Sequence, residues 1–190
     1  PFPAEKFVNK IPVKKHDHVL IPAGTVHCSG ADTMVLEISA TPYIFTFKLW
    51  DWGRVDLDGK PRPIHLEHGA ANIQWYRNTE WVHKNLINAV AEVYSDENGT
   101  VVRTGLHERE FLDTFRFTTS SALPVHRNGS VHMLNLVDGT RAVLRSKSDA
   151  FPPLELHYAE TCIVPQAAGD YEIYSPDGSE VKVILACVRN

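Results

Sequence analysis

The stretch PAGTVH, residues Pro22–His27, says most about how this chain folds. It follows the apolar run Val19–Ile21, and it fits the pattern P-x-G-x-x-H. The proline fixes one φ angle, and the glycine permits a backbone conformation that a Cβ would obstruct. A turn of this kind between two strands sets the register of the second strand. We therefore expect His27 to face the inside of a β-barrel, where a neutral imidazole is a candidate ligand for a divalent metal ion.

Short β-rich runs bounded by glycine, proline and aspartate lie at both ends of the chain and indicate an all-β sandwich or barrel. The predicted strands are Val19–Ile21, Met34–Ile38, Ile44–Leu49, Val131–Val137, Arg141–Arg145, Cys162–Val164 and Val181–Val188. Two helices are predicted between them, at Glu67–Trp75 and at Glu80–Val93, the second with Thr79 as its N-cap. This pattern divides the chain into a β unit at residues 1–66, a helical linker at 67–100 and a second β unit at 101–190.

An internal repeat supports two β units. Residues 17–27 and 160–171 share an apolar strand, a proline-bearing turn and the start of a next strand. Where the first copy ends on His27, the second offers Asp170 or Tyr171, and neither is a good substitute for an imidazole ligand. We therefore expect the second β unit to be free of metal.

A single imidazole does not make a metal site, because first-row divalent ions take three or four protein ligands. His16 and His18 have the i, i+2 spacing that places two rings on one face of a strand, but polar turn residues are the commoner reason for such a pattern. The remaining histidines are expected to be exposed or hydrogen-bonded. For His27 the turn motif favours a ligand position, and an inward histidine without a metal is the alternative.

Composition excludes several classes of protein. The chain has 190 residues and a net charge of −4, without the basic stripe that nucleic-acid binding needs. It has neither an apolar run of about 18 residues nor a signal peptide, so we expect no membrane association and a cytoplasmic location. Cys28, Cys162 and Cys187 are expected to be buried thiols of a reducing compartment. Because the chain starts without methionine in what reads as a strand, we expect it to be a fragment.

Residues 21–67 contain the words IPAGTVH, VLEI and LWDWGRVDLDGKPRPIHLE in that order. They resemble the C-terminal part of the catalytic cupin of type I phosphomannose (mannose-6-phosphate) isomerases and the linker that follows it. P-x-G-x-x-H is the second cupin motif, and residues 100–190 are similar in pattern to the metal-free C-terminal cupin of that family. The resemblance implies a mainly β fold, with part of a metal-site cupin (a double-stranded β-helix, or jelly roll) and a second cupin joined by one or two short helices.

The resemblance also implies a reaction, the aldose–ketose isomerisation of mannose 6-phosphate and fructose 6-phosphate through an enediol. An enzyme of this kind is an intramolecular oxidoreductase of carbohydrate metabolism. Zinc in that family is held by a Gln and a His on one strand, a Glu on another, and the histidine that matches His27. Only this last ligand exists here. We therefore expect one zinc ion in the full-length protein, an incomplete site in this chain and no activity of the fragment alone.

The chain departs from the family at two positions. Family members read S-D-x-T-Y-R before Y-D-W, whereas here Lys48 replaces the arginine and Ile44 replaces the aspartate. A lysine keeps the positive charge but lacks the planar fork of a guanidinium. Lys48 and Arg54 are our candidate catalytic residues, although Arg54 could instead form a charge-assisted pair with Asp51. Residues 56–61, DLDGKP, predict a structural turn.

Three hypotheses follow. In the first, the chain is part of an isomerase that binds a sugar phosphate. In the second, it is a non-catalytic cupin that binds a sugar or assembles with a partner, or it is an isomerase of a different sugar. In the third, a separate chain supplies the missing strands and completes the site. In the third case exposed strand edges would pair with that chain or with a second copy in a homodimer.

Overall fold

The computed structural model describes residues 2–40, 46–105 and 107–189. Within these ranges the chain forms two compact units, Pro1–Ala89 and Val90–Asn190. The first contains the α-helices and the second contains all of the described strands. The division between the units falls inside the predicted linker at residues 67–100.

The described residues of the second unit form ten strands in two antiparallel sheets. The strands are β1 (Ala91–Asp96), β2 (Gly99–Arg103), β3 (Leu112–Thr119), β4 (Ala122–Val125), β5 (His132–Asp138), β6 (Arg141–Ser146), β7 (Leu154–His157), β8 (Thr161–Val164), β9 (Tyr171–Tyr174) and β10 (Val181–Val188). The larger sheet has the order β1-β2-β3-β10-β5-β8, and the smaller has the order β4-β9-β6-β7. This is the predicted sandwich, and the late strands predicted from apolar runs correspond to β5, β6, β8 and β10.

The core of the second unit follows the two-residue period of its strands. On β5, Leu134 and Leu136 are fully buried, while Met133, the residue before Leu134, is exposed. Val181 and Val183 repeat the pattern on β10, and Ile173 joins the same cluster from the smaller sheet. Each such side chain stabilises the fold by about 1.5–3 kcal/mol on burial, so the cluster fixes which face of each sheet points inward.

Strands β1 and β2 lie where the sequence predicted helix and linker. They form a hairpin whose two-residue turn joins Asp96 to Gly99. The Asp96 carboxylate accepts hydrogen bonds from the backbone N–H groups of Asn98 (2.8 Å) and Gly99 (3.1 Å). Asp, Asn and Gly residues after a β-rich run are typical of a hairpin turn, and this signal overrides the apolar spacing that predicted a helix up to Val93.

Two short helices precede the hairpin in the first unit, α1 (Leu66–Asn72) and α2 (Thr79–Asn85). The N-cap of α2 is Asn78 rather than the predicted Thr79, because its side chain accepts a hydrogen bond of 3.0 Å from the N–H of Trp81. The helix stops early because Asn88 takes a left-handed φ of 51° and its side chain binds the backbone N–H of His18.

The strands predicted for the first unit are not found among its described residues. Val19 makes one isolated bridge with Ile87, and the run Met34–Ile38 does not adopt a strand, with Met34 85% exposed. Ile44 lies outside the described residues. A strand needs a neighbour that satisfies its backbone hydrogen bonds, and the described residues of this unit offer isolated bridges only.

Candidate functional site

The turn that bears His27 has the backbone conformation expected from its sequence. Gly24 adopts a φ of +81°, and the Thr25 N–H donates to the Pro22 carbonyl at 3.2 Å. A Cβ at Gly24 would lie 2.5 Å from the carbonyl oxygen of Asn72. Glycine is therefore required here both by the left-handed backbone and by the close approach of α1.

Arg77 holds this turn from the other side. Its guanidinium Nη1 lies 3.0 Å from the Pro22 carbonyl oxygen, 2.7 Å from that of Ala23 and 2.6 Å from the Thr25 hydroxyl. The backbone N–H of Gln74 adds a bond of 3.0 Å to the Gly24 carbonyl. Every residue from 22 to 25 thus accepts a hydrogen bond from the segment that links α1 to α2. These contacts were not predicted from the sequence.

The Arg77 side chain is itself held by aromatic rings. Its guanidinium carbon lies 5.5 Å from the ring centre of Tyr76 and 5.3 Å from that of Trp81. These two rings meet edge to face at 5.6 Å. Cation–π contacts of this kind orient a planar guanidinium, so the donors of Arg77 arrive at the turn in a fixed direction.

His27 lies on the surface of the first unit. Its Nδ1 is 2.8 Å from the carbonyl oxygen of Thr25. A carbonyl can only accept, so in the neutral ring Nδ1 carries the proton and Nε2 keeps its lone pair. The ring is exposed rather than enclosed as expected, because the described residues of this unit form no barrel around it. The ligand role of His27 stays a prediction.

A zinc site is incomplete in this part of the chain. Nowhere among residues 2–40, 46–105 and 107–189 do three histidine, cysteine, aspartate or glutamate side chains converge as metal ligands. The chemistry of His27 suits zinc, but one imidazole is too few, since zinc takes three or four protein ligands. The described residues therefore do not by themselves fit the metal that the resemblance implies.

The predicted catalytic residue Lys48 lies beside a buried carboxylate. Its Nζ is 3.5 Å from Asp51 Oδ1, and the Asp51 residue is only 9% exposed. Arg62 binds the same carboxylate with two guanidinium nitrogens, one of them Nη2 at 2.6 Å from Oδ1. The Arg62 guanidinium is the main cause of a lowered pKa for Asp51, and the carboxylate in turn raises the pKa of Arg62.

The alternative role of Arg54, a charge-assisted pair with Asp51, is wrong, because Arg62 takes that place. Arg54 donates only its backbone N–H, at 2.9 Å, to the Asp51 carbonyl. The nearby turn is confirmed, since the Asp56 carboxylate accepts the N–H groups of Asp58 and Lys60 at 2.9 Å each. The structure thus brings Lys48 to Asp51 but, among the residues it describes, connects neither Lys48 nor Arg54 to His27 through a hydrogen bond or ion pair.

The second unit has a buried polar cluster at the position that matches His27 in the repeat. Tyr171 is fully buried, and its hydroxyl lies 2.9 Å from His132 Nδ1. His132 Nε2 is 3.2 Å from the Asn128 Oδ1, and the Asn128 amide donates to Cys187 Sγ at 3.3 Å. Burial lowers the pKa of His132 to about 4 and raises the pKa of Tyr171. The cluster is therefore a neutral, hydrogen-bonded set.

An arginine also holds the proline turn of the second unit. The Arg127 guanidinium donates to the Val164 carbonyl at 3.3 Å and to Gln166 Oε1 at 2.8 Å, and its backbone N–H donates to Asp170 Oδ1 at 2.9 Å. Its charge is a second cause of the lowered pKa of His132. Both copies of the repeat thus have an arginine bound to the proline turn.

The cysteine expectation holds in part. All three thiols are free, but Cys187 is buried, Cys162 is half-buried and Cys28 is exposed. The prediction of burial was therefore wrong for Cys28, which follows His27 on the exposed side of the turn. In the described portion of the chain no helix has the length and apolar character needed to cross a membrane.

Two curated proteins similar to this chain are mannose-6-phosphate isomerases. No family model matches the chain. It is 35% identical over 63 residues to mannose-6-phosphate isomerase of Streptococcus mutans serotype c, covering 33% of this chain and 20% of that protein. It is 22% identical over 135 residues to mannose-6-phosphate isomerase ManA of Bacillus subtilis, covering 71% of this chain and 40% of that protein. The chain thus spans less than half the length of these two curated relatives.

The crystal structure of mannose 6-phosphate isomerase from Bacillus subtilis matches with a TM-score of 0.54 at 13% identity, over 74% of this chain and 39% of that one. The match shows a shared fold, and the mainly β structure is that of a cupin, as predicted. The chain is thus similar in sequence to mannose-6-phosphate isomerases over part of their length, and it has the cupin fold.

Proposed function

We propose that this chain is part of a metal-dependent aldose–ketose isomerase that interconverts mannose 6-phosphate and fructose 6-phosphate. The observation that carries the proposal is the His27 turn, in which Gly24 and Arg77 hold the backbone while Nε2 is left as a free acceptor. The names of the two curated relatives support the reaction. A location in the cytoplasm and a role in carbohydrate metabolism belong to the same proposal.

The reaction moves a proton between C1 and C2 through an enediol, so it needs a base and a group that stabilises negative charge on oxygen. Lys48 suits the second task, because its side chain is 39% exposed and its ammonium group lies beside Asp51. Since Arg62 already neutralises that carboxylate, the charge of Lys48 stays available for a phosphate or an enediolate. Arg54 is the second cation that we assign to substrate binding.

Zinc is the metal that we propose, with His27 as one of its ligands. The remaining ligands would come from residues that the described chain does not place near His27, either in the same polypeptide or in a partner chain. A partner that supplies strands would also cover the apolar side chains of the run Met34–Ile38, which are exposed. A second copy of this chain is the alternative source.

One observation favours a second candidate function. Because no three metal-binding side chains converge among the described residues, the chain could be a cupin that binds a sugar or a partner without catalysis. The replacement of the family's arginine by Lys48, and of its aspartate by Ile44, favours instead an isomerase of a different sugar. Ile44 lies outside the described residues, so this second argument comes from sequence only.

An isomerisation assay separates these candidates. The full-length protein should convert mannose 6-phosphate to fructose 6-phosphate, and Lys48→Ala should reduce kcat/KM by about tenfold to a hundredfold, the effect of losing one charge-assisted contact of about 1.5–3 kcal/mol. Lys84→Ala, an exposed lysine of α2, is the matched control and should keep full activity. No conversion by the intact protein would support the binding module, and conversion of another sugar phosphate alone would support the different isomerase.

A further inference from the structure

The contacts of Thr25 connect the Arg77 side chain to the His27 ring. The Thr25 hydroxyl oxygen lies 2.6 Å from Arg77 Nη1, and the carbonyl oxygen of the same residue accepts the Nδ1–H of His27 at 2.8 Å. The direction of that carbonyl depends on the backbone of residues 22–25. Arg77 fixes this backbone through two further carbonyls.

The hydrogen bond from His27 decides which ring nitrogen can bind a ligand. A neutral imidazole in water prefers the tautomer with the proton on Nε2, which leaves Nδ1 as the acceptor. The Thr25 carbonyl selects the opposite tautomer, because its oxygen can only accept a hydrogen bond, which requires the proton to be on Nδ1. Nε2, the nitrogen farther from the backbone, then keeps its lone pair and is free to bind.

We propose that Arg77 is a positioning residue for His27. By holding the turn at residues 22–25, it keeps the Thr25 carbonyl against His27 Nδ1 and so maintains the tautomer whose Nε2 is available to a ligand. This inference rests on the proposed function, which makes His27 a binding residue. The structural observation itself involves no bound ligand.

The geometry requires an arginine rather than any cation. One guanidinium nitrogen reaches three oxygen atoms of the turn, while the plane of the group lies near Tyr76 and Trp81. A lysine would supply a charge and one or two hydrogen bonds, but it lacks the planar group that the two rings orient. We therefore expect Arg77→Lys to preserve the His27 tautomer better than Arg77→Ala does.

The test is long-range ¹H–¹⁵N NMR of the histidine rings in the full chain, at a pH where they are neutral and without added metal. In the unchanged protein His27 should be mainly the Nδ1–H tautomer. Arg77→Ala should shift the tautomer ratio toward Nε2–H by about fivefold, the factor that one ordinary hydrogen bond contributes. Arg77→Lys should give a smaller shift, and Lys84→Ala, an exposed residue of α2, should give none.

A tautomer ratio that is the same in Arg77→Ala and in the unchanged protein would overturn the proposal. If Arg77→Ala unfolds the first unit, Thr25→Val removes only the hydroxyl contact of Arg77 and should shift the ratio in the same direction. An unchanged ratio in that variant would also overturn it. The tautomer measurement needs neither metal nor substrate. A failed isomerisation assay would therefore contradict the proposed function, whereas an unchanged tautomer ratio would contradict the role of Arg77.

Discussion

At the residue scale, the nearly buried Asp51 carboxylate lies beside two cationic side chains, Arg62 and Lys48. Arg62 binds both carboxylate oxygens, and Lys48 approaches one of them. Arg54 is nearer to Asp51 in the sequence, but it donates its backbone N–H to the Asp51 carbonyl. Arg62, which follows the DLDGKP turn, binds the carboxylate instead. A pairing that depends on such a turn cannot be deduced from distance along the chain.

Removing Arg62 should therefore destabilise the first unit. We expect Arg62→Ala to lower its Tm, because the nearly buried Asp51 carboxylate loses its two-point partner, whereas Arg54→Ala should leave the Tm unchanged. The lowered pKa of Asp51 stabilises the fold above the unfolded pKa of 3.8, and that contribution is lost as the pH falls through the folded value. Thermal melts of both variants at pH 7 test this, and equal losses from the two would contradict it.

His132 makes the second unit sensitive to acid. It is 2% exposed, and its pKa of about 4 in the folded state lies below the ordinary value of 6.5. Between these values the unfolded chain binds a proton that the folded chain does not, so the free energy of unfolding should fall as the pH drops from 6.5 to 4. The lowered pKa corresponds to about 3 kcal/mol in total.

Urea denaturation of the second unit across that pH range measures this effect. His132→Gln removes the titrating ring while keeping hydrogen-bonding capacity, and it should lower stability at pH 7 but flatten the fall in stability toward pH 4. A fall as steep as that of the unchanged protein would show that other groups cause it.

At the scale of elements, the turn at residues 22–25 depends on Gly24 for two separable reasons. Its φ of +81° is unfavourable for other residues, and a Cβ would meet the Asn72 carbonyl at 2.5 Å. Gly59 has a similar φ of +73° but open space around it. Comparing alanine at the two positions therefore separates backbone strain from the clash.

We expect Gly59→Ala to cost about 1–2 kcal/mol, the strain of one left-handed residue. Gly24→Ala should cost more, because α1 must move away from the new methyl group in addition. Chemical denaturation of the first unit gives both values. A cost at Gly24 no larger than that at Gly59 would mean that the contact with Asn72 does not restrain the turn.

The elements differ in how well their sequences predict them. Strand β10 matches its predicted range Val181–Val188, since its apolar alternation is reinforced by pairing with β3 and β5 on either side. The run Met34–Ile38 has an equally apolar sequence, but it does not adopt a strand. Local propensity alone therefore does not decide where a strand forms, because pairing and burial also contribute.

At the scale of the whole molecule, the sequence predicted the cupin fold and the His27 turn but not the residues that hold the turn in place. Arg77 binds turn residues 52 to 55 positions earlier in the sequence, and Arg62 binds Asp51, 11 positions earlier. No periodic pattern in the sequence indicates either contact. The polar cluster of His132 and Tyr171 was likewise hidden, because it joins two strands of different sheets. The repeat did indicate that Asp170 or Tyr171 would stand where the first unit has His27.

The zinc content of the full-length protein tests the central claim most directly. Our account predicts about one zinc ion per chain in the purified protein and its loss in His27→Ala, while His83→Ala, an exposed histidine of α2, keeps the metal. A protein that lacks zinc, or a His27→Ala variant that retains it in full, would contradict the assignment of His27 as a metal ligand.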